Sequence, residues 1–124
     1  KSEDILNAVS MQMETNASSV ITGTASKCSP YFSLVEENAN GVVSLSKSLN
    51  PPATRRQDTP KCFDMNGSIY VFNRNVFMER QQVLYPDTKI YVMPEERSID
   101  IDTELDFAMA EFLMNRNNHM KKEN

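Results

Sequence analysis

Cysteine occurs only twice in the 124 residues and histidine only once. Cys28 and Cys62 lie far apart with no CxxC spacing, so neither a zinc site nor a disulfide framework has the residues it needs. Reduced thiols in a cytosol are expected instead. No Lys/Arg block exceeds two residues, and the formal charge is -4 with a pI near 5.0. The basic footprint of a nucleic-acid binder is therefore missing. No apolar run approaches the roughly 18 residues that span a membrane, and no signal peptide is visible. These absences leave a cytoplasmic protein that binds neither membrane nor nucleic acid as the expectation. The length suits one domain at most, large enough for a core but small for a complete nucleotide-dependent enzyme.

What is present centres on Ser98-Ile99-Asp100-Ile101-Asp102-Thr103-Glu104-Leu105-Asp106. Apolar and acidic residues alternate here, so in an extended segment Ile99 and Ile101 point one way and Asp100 and Asp102 the other. The isoleucines are then expected in a core. The two carboxylates, about 7 Å apart at their Cα atoms, outline a site for a hard cation. After Asp102 the period becomes helical, with Leu105, Ala108, Met109, Phe112 and Leu113 on one face. Asp102 acting as the N-cap of that helix explains the same spacing without any metal.

The start of the chain reads as a helix capped by Ser2, with Ile5, Leu6, Val9 and Met13 as its apolar positions and Glu3 and Asp4 at the positive end of its dipole. Ser18 to Ala25 is β-branched and uncharged, which predicts a buried, parallel strand. Helix followed by buried strand is half of a βαβ unit, so an α/β class follows. Short strands over Tyr31 to Val35 and Val42 to Leu45, joined at Asn40-Gly41, predict a hairpin. Beyond it, the spacing predicts an apolar strand from Ser68, a short helix from Asn73 to Gln81 with Val76 and Phe77 buried, a strand from Thr88 ended by Pro94, and a terminal helix from about Thr103 to about Asn115 with a frayed tail containing a solvated His119.

Arg56-Gln57-Asp58, Asn66-Gly67-Ser68-Ile69-Tyr70 and the aspartate segment, in this order and spacing, resemble the acylneuraminate cytidylyltransferases. The resemblance covers nearly the whole chain and implies the C-terminal part of a Rossmann-like nucleotidyltransferase fold. Its sheet would be mixed and mainly parallel, with flanking helices and an inserted hairpin. It further implies one domain over 1–124, with a dimerisation or lid insertion at about 28–60. The CTP-binding N-terminal half, with its glycine- and basic-rich loop, is expected to lie outside this chain.

That family joins the anomeric hydroxyl of a nine-carbon acidic sugar to CTP with magnesium assistance, a step used in cell-surface polysaccharide biosynthesis. By the resemblance, Asp100 and Asp102 would hold Mg2+, and Arg56 would balance the sugar carboxylate. Gln57, Asn66 and Tyr70 would line the sugar pocket, and the protein would be a homodimer. On its own, Arg56 could equally be half of a surface ion pair. Two departures stand out: Phe32 occupies a position where the family often has lysine, so that contact is either missing or moved to Lys27, and only Tyr85 remains of an aromatic pair near Val83 and Leu84. Legionaminic or pseudaminic acid is therefore as good a candidate as sialic acid. The alternative from a different class is a non-catalytic dimerisation or interaction module derived from the same fold, with its hairpin pairing between subunits.

Overall fold

The computed structural model describes residues 1–122, with side chains described as far as Arg116. The expectation for the His119 side chain therefore lies outside the described residues. The chain divides into two compact units, one formed by Lys1–Thr24 and the residues from Met65 onward, the other by Ala25–Asp64.

The first unit is α/β with a mixed sheet. Helix α1 (Ser2–Thr15) ends at Asn16, whose left-handed backbone (φ 51°) turns the chain into strand β1 (Ser19–Ala25). β1 is the central strand, in the order β4-β1-β5, with β4 spanning Phe63–Phe72 and β5 spanning Lys89–Val92. It runs parallel to β5, with Val20 opposite Lys89 and Gly23 opposite Val92. The Asn73 amide bonds to the Ser18 carbonyl, and Ile69 meets Thr22, so β4 runs antiparallel to it. A strand covered on both edges and both faces must be apolar or satisfied. Val20 and Ile21 are buried; Ser19 and Thr22 are buried too, and each has hydrogen-bond partners.

Thr22 illustrates how that satisfaction works. Its hydroxyl donates to Asn66 Oδ1 (2.7 Å) and accepts from the Ile69 amide (3.0 Å), standing in for ladder bonds beside Gly67. Gly67 sits at φ 62°, a conformation that a side chain disfavours. After β4, Asn73 caps α2 (Arg74–Glu79) by accepting from the Asn75 and Val76 amides, and Phe77 packs at 4.6 Å from Phe72. Val76 and Phe77 are half-buried rather than buried. Asp87 ties the entrance of β1 by accepting from the Ser18 amide and hydroxyl, which holds its carboxyl below the usual range.

Several expectations need correction. Ser2 is the first helical residue rather than the cap; Glu3 and Asp4 lie in the first turn as expected, and Asp4 is fully buried. α1 buries its narrow face of Asp4 and Ala8, whereas Ile5, Leu6, Val9 and Met13 are exposed. The terminal helix α3 (Glu104–Lys122) continues past Asn115 because neither glycine nor proline interrupts it, and Leu105, Met109 and Phe112 on its apolar face are likewise exposed. Among the described residues, nothing covers either stripe.

The second unit is built around Ser29, whose carbonyl accepts from the Phe32, Ser33 and Leu34 amides. That turn consumes Tyr31 to Leu34, so the first hairpin strand β2 is Val35–Glu37 rather than Tyr31 to Val35. It pairs antiparallel with β3 (Val43–Leu45), Val35 opposite Leu45. The connection is closed by Asn38 Oδ1, which accepts from the Asn40 and Val42 amides, and by Gly41 at φ 77°. Val35, Val43 and Leu45 are all exposed.

Candidate functional site

The predicted site residues fall in both units: Arg56 and Gln57 in the second, and Asn66, Tyr70, Asp100 and Asp102 in the first. In the second unit, a turn of 3-10 helix over Arg56–Asp58 sets Arg56 and Gln57 on the wall of a cavity of about 380 Å³. Ser26, Cys28, Ser29, Thr59, Lys61 and Cys62 share that wall. Arg56 Nη2 donates to the Ser26 carbonyl (3.1 Å) and to the Lys27 carbonyl, which fixes its guanidinium. The neighbouring ion pair is made by Arg55 instead, with Asp58 at 3.2 Å. No carboxylate lines the cavity, so Arg56 and Lys61 make it locally positive in an acidic chain. Such a wall, with two cations and several hydroxyls beside apolar Ala25, Pro60 and Phe63, could receive a molecule that carries a carboxylate.

In the first unit, the aspartate segment departs from its expected form. Ser98 to Asp102 is irregular, and among the described residues no strand pairs with it. Ile99 is half-buried and Ile101 is 53% exposed, so the isoleucines do not anchor the segment. The cap of α3 is Thr103 rather than Asp102. Thr103 Oγ1 accepts from the Asp106 amide (3.2 Å), while Asp106 Oδ2 accepts from the Thr103 amide (2.9 Å) and hydroxyl (2.6 Å). These bonds, led by that of the hydroxyl, hold the Asp106 carboxyl below its ordinary range. The capping role expected of Asp102 thus passes to its neighbour, and Asp100 and Asp102 are both exposed.

Support for the segment comes from residues that sequence reasoning passed over. Arg97 closes a 3-10 turn (Glu95–Arg97) and grips Asp4 on α1 with a two-pronged ion pair, Nη2 to Oδ1 at 2.8 Å and Nε to Oδ2 at 3.1 Å. Asp4 also accepts from the Lys1 backbone nitrogen (3.0 Å) and the Tyr91 hydroxyl (3.3 Å). The Arg97 guanidinium outweighs burial and lowers the Asp4 carboxyl from 3.8 to about 2. Next to Arg97, the Ser98 hydroxyl accepts from Asn66 Nδ2 (3.0 Å) and donates to the Pro94 carbonyl (3.1 Å). The placement of Asp4 and Ala8 on one helix face was visible in the sequence, but nothing there linked position 4 to position 97.

Asn66 is the hub of this region. Besides Ser98, its carboxamide accepts from the Thr22 hydroxyl (2.7 Å) and the Ser68 amide (3.2 Å), so it joins β1, the Gly67 kink and the aspartate segment. Tyr70 follows on β4, 41% exposed and stacked on Phe72 at 6.3 Å. Tyr85 is buried, with its hydroxyl donating to the Arg80 carbonyl.

The donor set limits what a cation could find. No group of three or more His, Cys, Asp or Glu among the described residues could hold a metal. Two exposed carboxylates fit magnesium, which takes one or two protein carboxylates and completes its octahedron with water and substrate phosphates. They do not fit calcium or zinc, which need fuller protein cages in stable sites.

With an α/β unit, paired aspartates ahead of a capped helix and a positive cavity described, the relatives can be set beside them. Two curated relatives agree with the resemblance to the acylneuraminate cytidylyltransferases. It is 43% identical over 104 residues to the CMP-N,N'-diacetyllegionaminic acid synthase of Campylobacter jejuni subsp. jejuni serotype O:2, an alignment covering 84% of this chain and 43% of that protein. It is 38% identical over 122 residues to the post-translational flagellin modification protein B of Campylobacter coli, covering 98% of this chain and 51% of that one. No family model matches the chain. The chain spans about half the length of the curated relatives it matches.

Proposed function

We propose that the protein to which this chain belongs is a cytidylyltransferase that joins a nine-carbon acidic sugar of the legionaminic type to CTP. The sugar's anomeric oxygen bonds to the α-phosphorus as the bond to the β-phosphate breaks, giving CMP-sugar and pyrophosphate. The observation that carries this is the 43% identity to a CMP-N,N'-diacetyllegionaminic acid synthase across 84% of the chain. The cavity of the second unit supports the acidic character of the sugar.

Arg56, held by two backbone carbonyls, would orient the sugar carboxylate by charge-assisted hydrogen bonds, with Gln57 beside it. Asn66 and Tyr70 complete the sugar-binding positions suggested by the motifs. Asp100 and Asp102 would hold Mg2+, which when bound neutralises triphosphate charge and favours ionisation of the attacking hydroxyl. Three exposed apolar residues of the hairpin, Val35, Val43 and Leu45, support a homodimer formed through the second unit.

The test is a panel of nine-carbon acids (legionaminic, pseudaminic and sialic) given to the full-length protein with CTP and Mg2+, reading CMP-sugar and pyrophosphate. Turnover is expected, with the highest kcat/KM for the legionaminic type. No CMP-sugar from any member of the panel would overturn the proposal.

A further inference from the structure

Asp100 and Asp102 lie in an irregular, exposed segment that its own isoleucines do not anchor, so something else must set where the carboxylates point. The segment is suspended between two fixed ends. At the downstream end, the reciprocal Thr103 and Asp106 bonds fix the start of α3. At the upstream end, Arg97 is clamped to the fully buried Asp4, and the adjacent Ser98 hydroxyl is held by Asn66 Nδ2 at 3.0 Å. Asn66 is itself fixed by the Thr22 hydroxyl from the central strand at 2.7 Å. Only Ile99 separates Ser98 from Asp100.

We infer that Ser98, with Asn66 behind it, and Arg97, with Asp4 behind it, form a double latch that positions Asp100 and Asp102 for the metal. This rests on the reading of the two aspartates as metal carboxylates. The latch residues are positioning residues: their side chains bond to one another and to the sheet, and they act on the cation through the direction they impose on the chain. Two features make a latch of this kind effective. The Arg97 to Asp4 bond is a planar, two-pronged contact, which restricts rotation where a single bond would not. Asn66 uses both ends of its carboxamide, so turning away from Ser98 also gives up its bonds to the Thr22 hydroxyl and the Ser68 amide.

The experiment uses the full-length protein, with Mn2+ titrated in the presence of CTP and binding read by water proton relaxation, a signal that does not require turnover. Asp102→Asn is expected to remove the ternary signal. Ser98→Ala is expected to weaken Mn2+ about tenfold, the lower end of the range for residues that orient metal ligands. Ser98→Thr, which keeps the hydroxyl, is expected to restore it. Arg97→Lys, which keeps the charge and loses the fork, should weaken Mn2+ in the same direction. Far-UV circular dichroism checks that each variant is folded, and Arg97→Lys carries the test if Ser98→Ala does not fold. Folded latch variants that bind Mn2+ within twofold of wild type, while Asp102→Asn does not bind, would overturn the latch alone. Full binding by Asp102→Asn would overturn the metal reading and the latch together.

Discussion

Replacing Asp4 by asparagine probes the ion pair on which the first unit depends. The Asp4 side chain is fully buried and Arg97 is 17% exposed, so water screens their attraction poorly. The carboxyl is lowered from 3.8 to about 2, mostly by Arg97 and in part by the Lys1 amino group, and the Arg97 part corresponds to about 1 to 2 kcal/mol of folding free energy above pH 4. Because the folded value lies below the unfolded one, this contribution is complete above pH 3.8 and is lost as pH falls through that value towards 2. Asparagine keeps the shape but leaves Arg97 only the longer, exposed contact to Glu3 at 3.6 Å, and breaking a buried pair costs about 3 to 5 kcal/mol. Partial exposure of Arg97 and the remaining amide oxygen reduce this to roughly 2 to 3 kcal/mol. Urea denaturation of the full-length protein, followed by far-UV circular dichroism at pH 7 and at several pH values down to 2.5, measures both effects. Asp4→Asn should be less stable at pH 7 and should lose part of the wild-type slope between pH 4 and 2.5. A variant within about 0.5 kcal/mol of wild type at pH 7, with the same acid slope, would refute the reasoning.

Other outcomes follow from the same geometry. Arg56→Ala removes the guanidinium that Ser26 and Lys27 hold on the cavity wall, so the KM for the acidic sugar should rise about 10- to 100-fold with that for CTP little changed, by steady-state kinetics. Thr103→Ala deletes the cap of α3 and should cost about 1 kcal/mol in thermal unfolding, with Thr103→Ser close to wild type. The 124-residue chain by itself should form no CMP-sugar from CTP and an acidic sugar, and product from pure material would contradict this.

Much of the fold was legible because its signals are local. The uncharged, β-branched Ser18 to Ala25 reads as a buried strand and Asn40-Gly41 as a hairpin turn, and the structure has both. Errors arose where the deciding partner is distant. Ile99 and Ile101 alternate with aspartates as a strand would, but a strand also needs ladder pairing, and among the described residues none pairs with this segment. Ser29 gathers three amides into a turn, which cost the first hairpin strand its predicted start. The second role of Asp4, as partner of Arg97, was not legible because Arg97 is remote in sequence and close only after β1 and β5 pair. For the site, the motifs picked out Arg56 and Gln57, and the cavity they line added Lys61, Ser29 and Thr59, which no spacing rule singles out. The apolar stripes of α1 and α3 were recognised correctly as stripes. Most of their residues are exposed, since periodicity identifies an apolar face without identifying what covers it.

The central claim is that Asp100 and Asp102 hold the magnesium used in cytidylyl transfer. Its most direct test is CMP-sugar formation by full-length Asp102→Asn across a range of Mg2+ concentrations, beside wild type and with circular dichroism as the folding control. The account predicts a folded protein with turnover lost at every Mg2+ concentration. Turnover equal to wild type, with the same Mg2+ dependence, would contradict it.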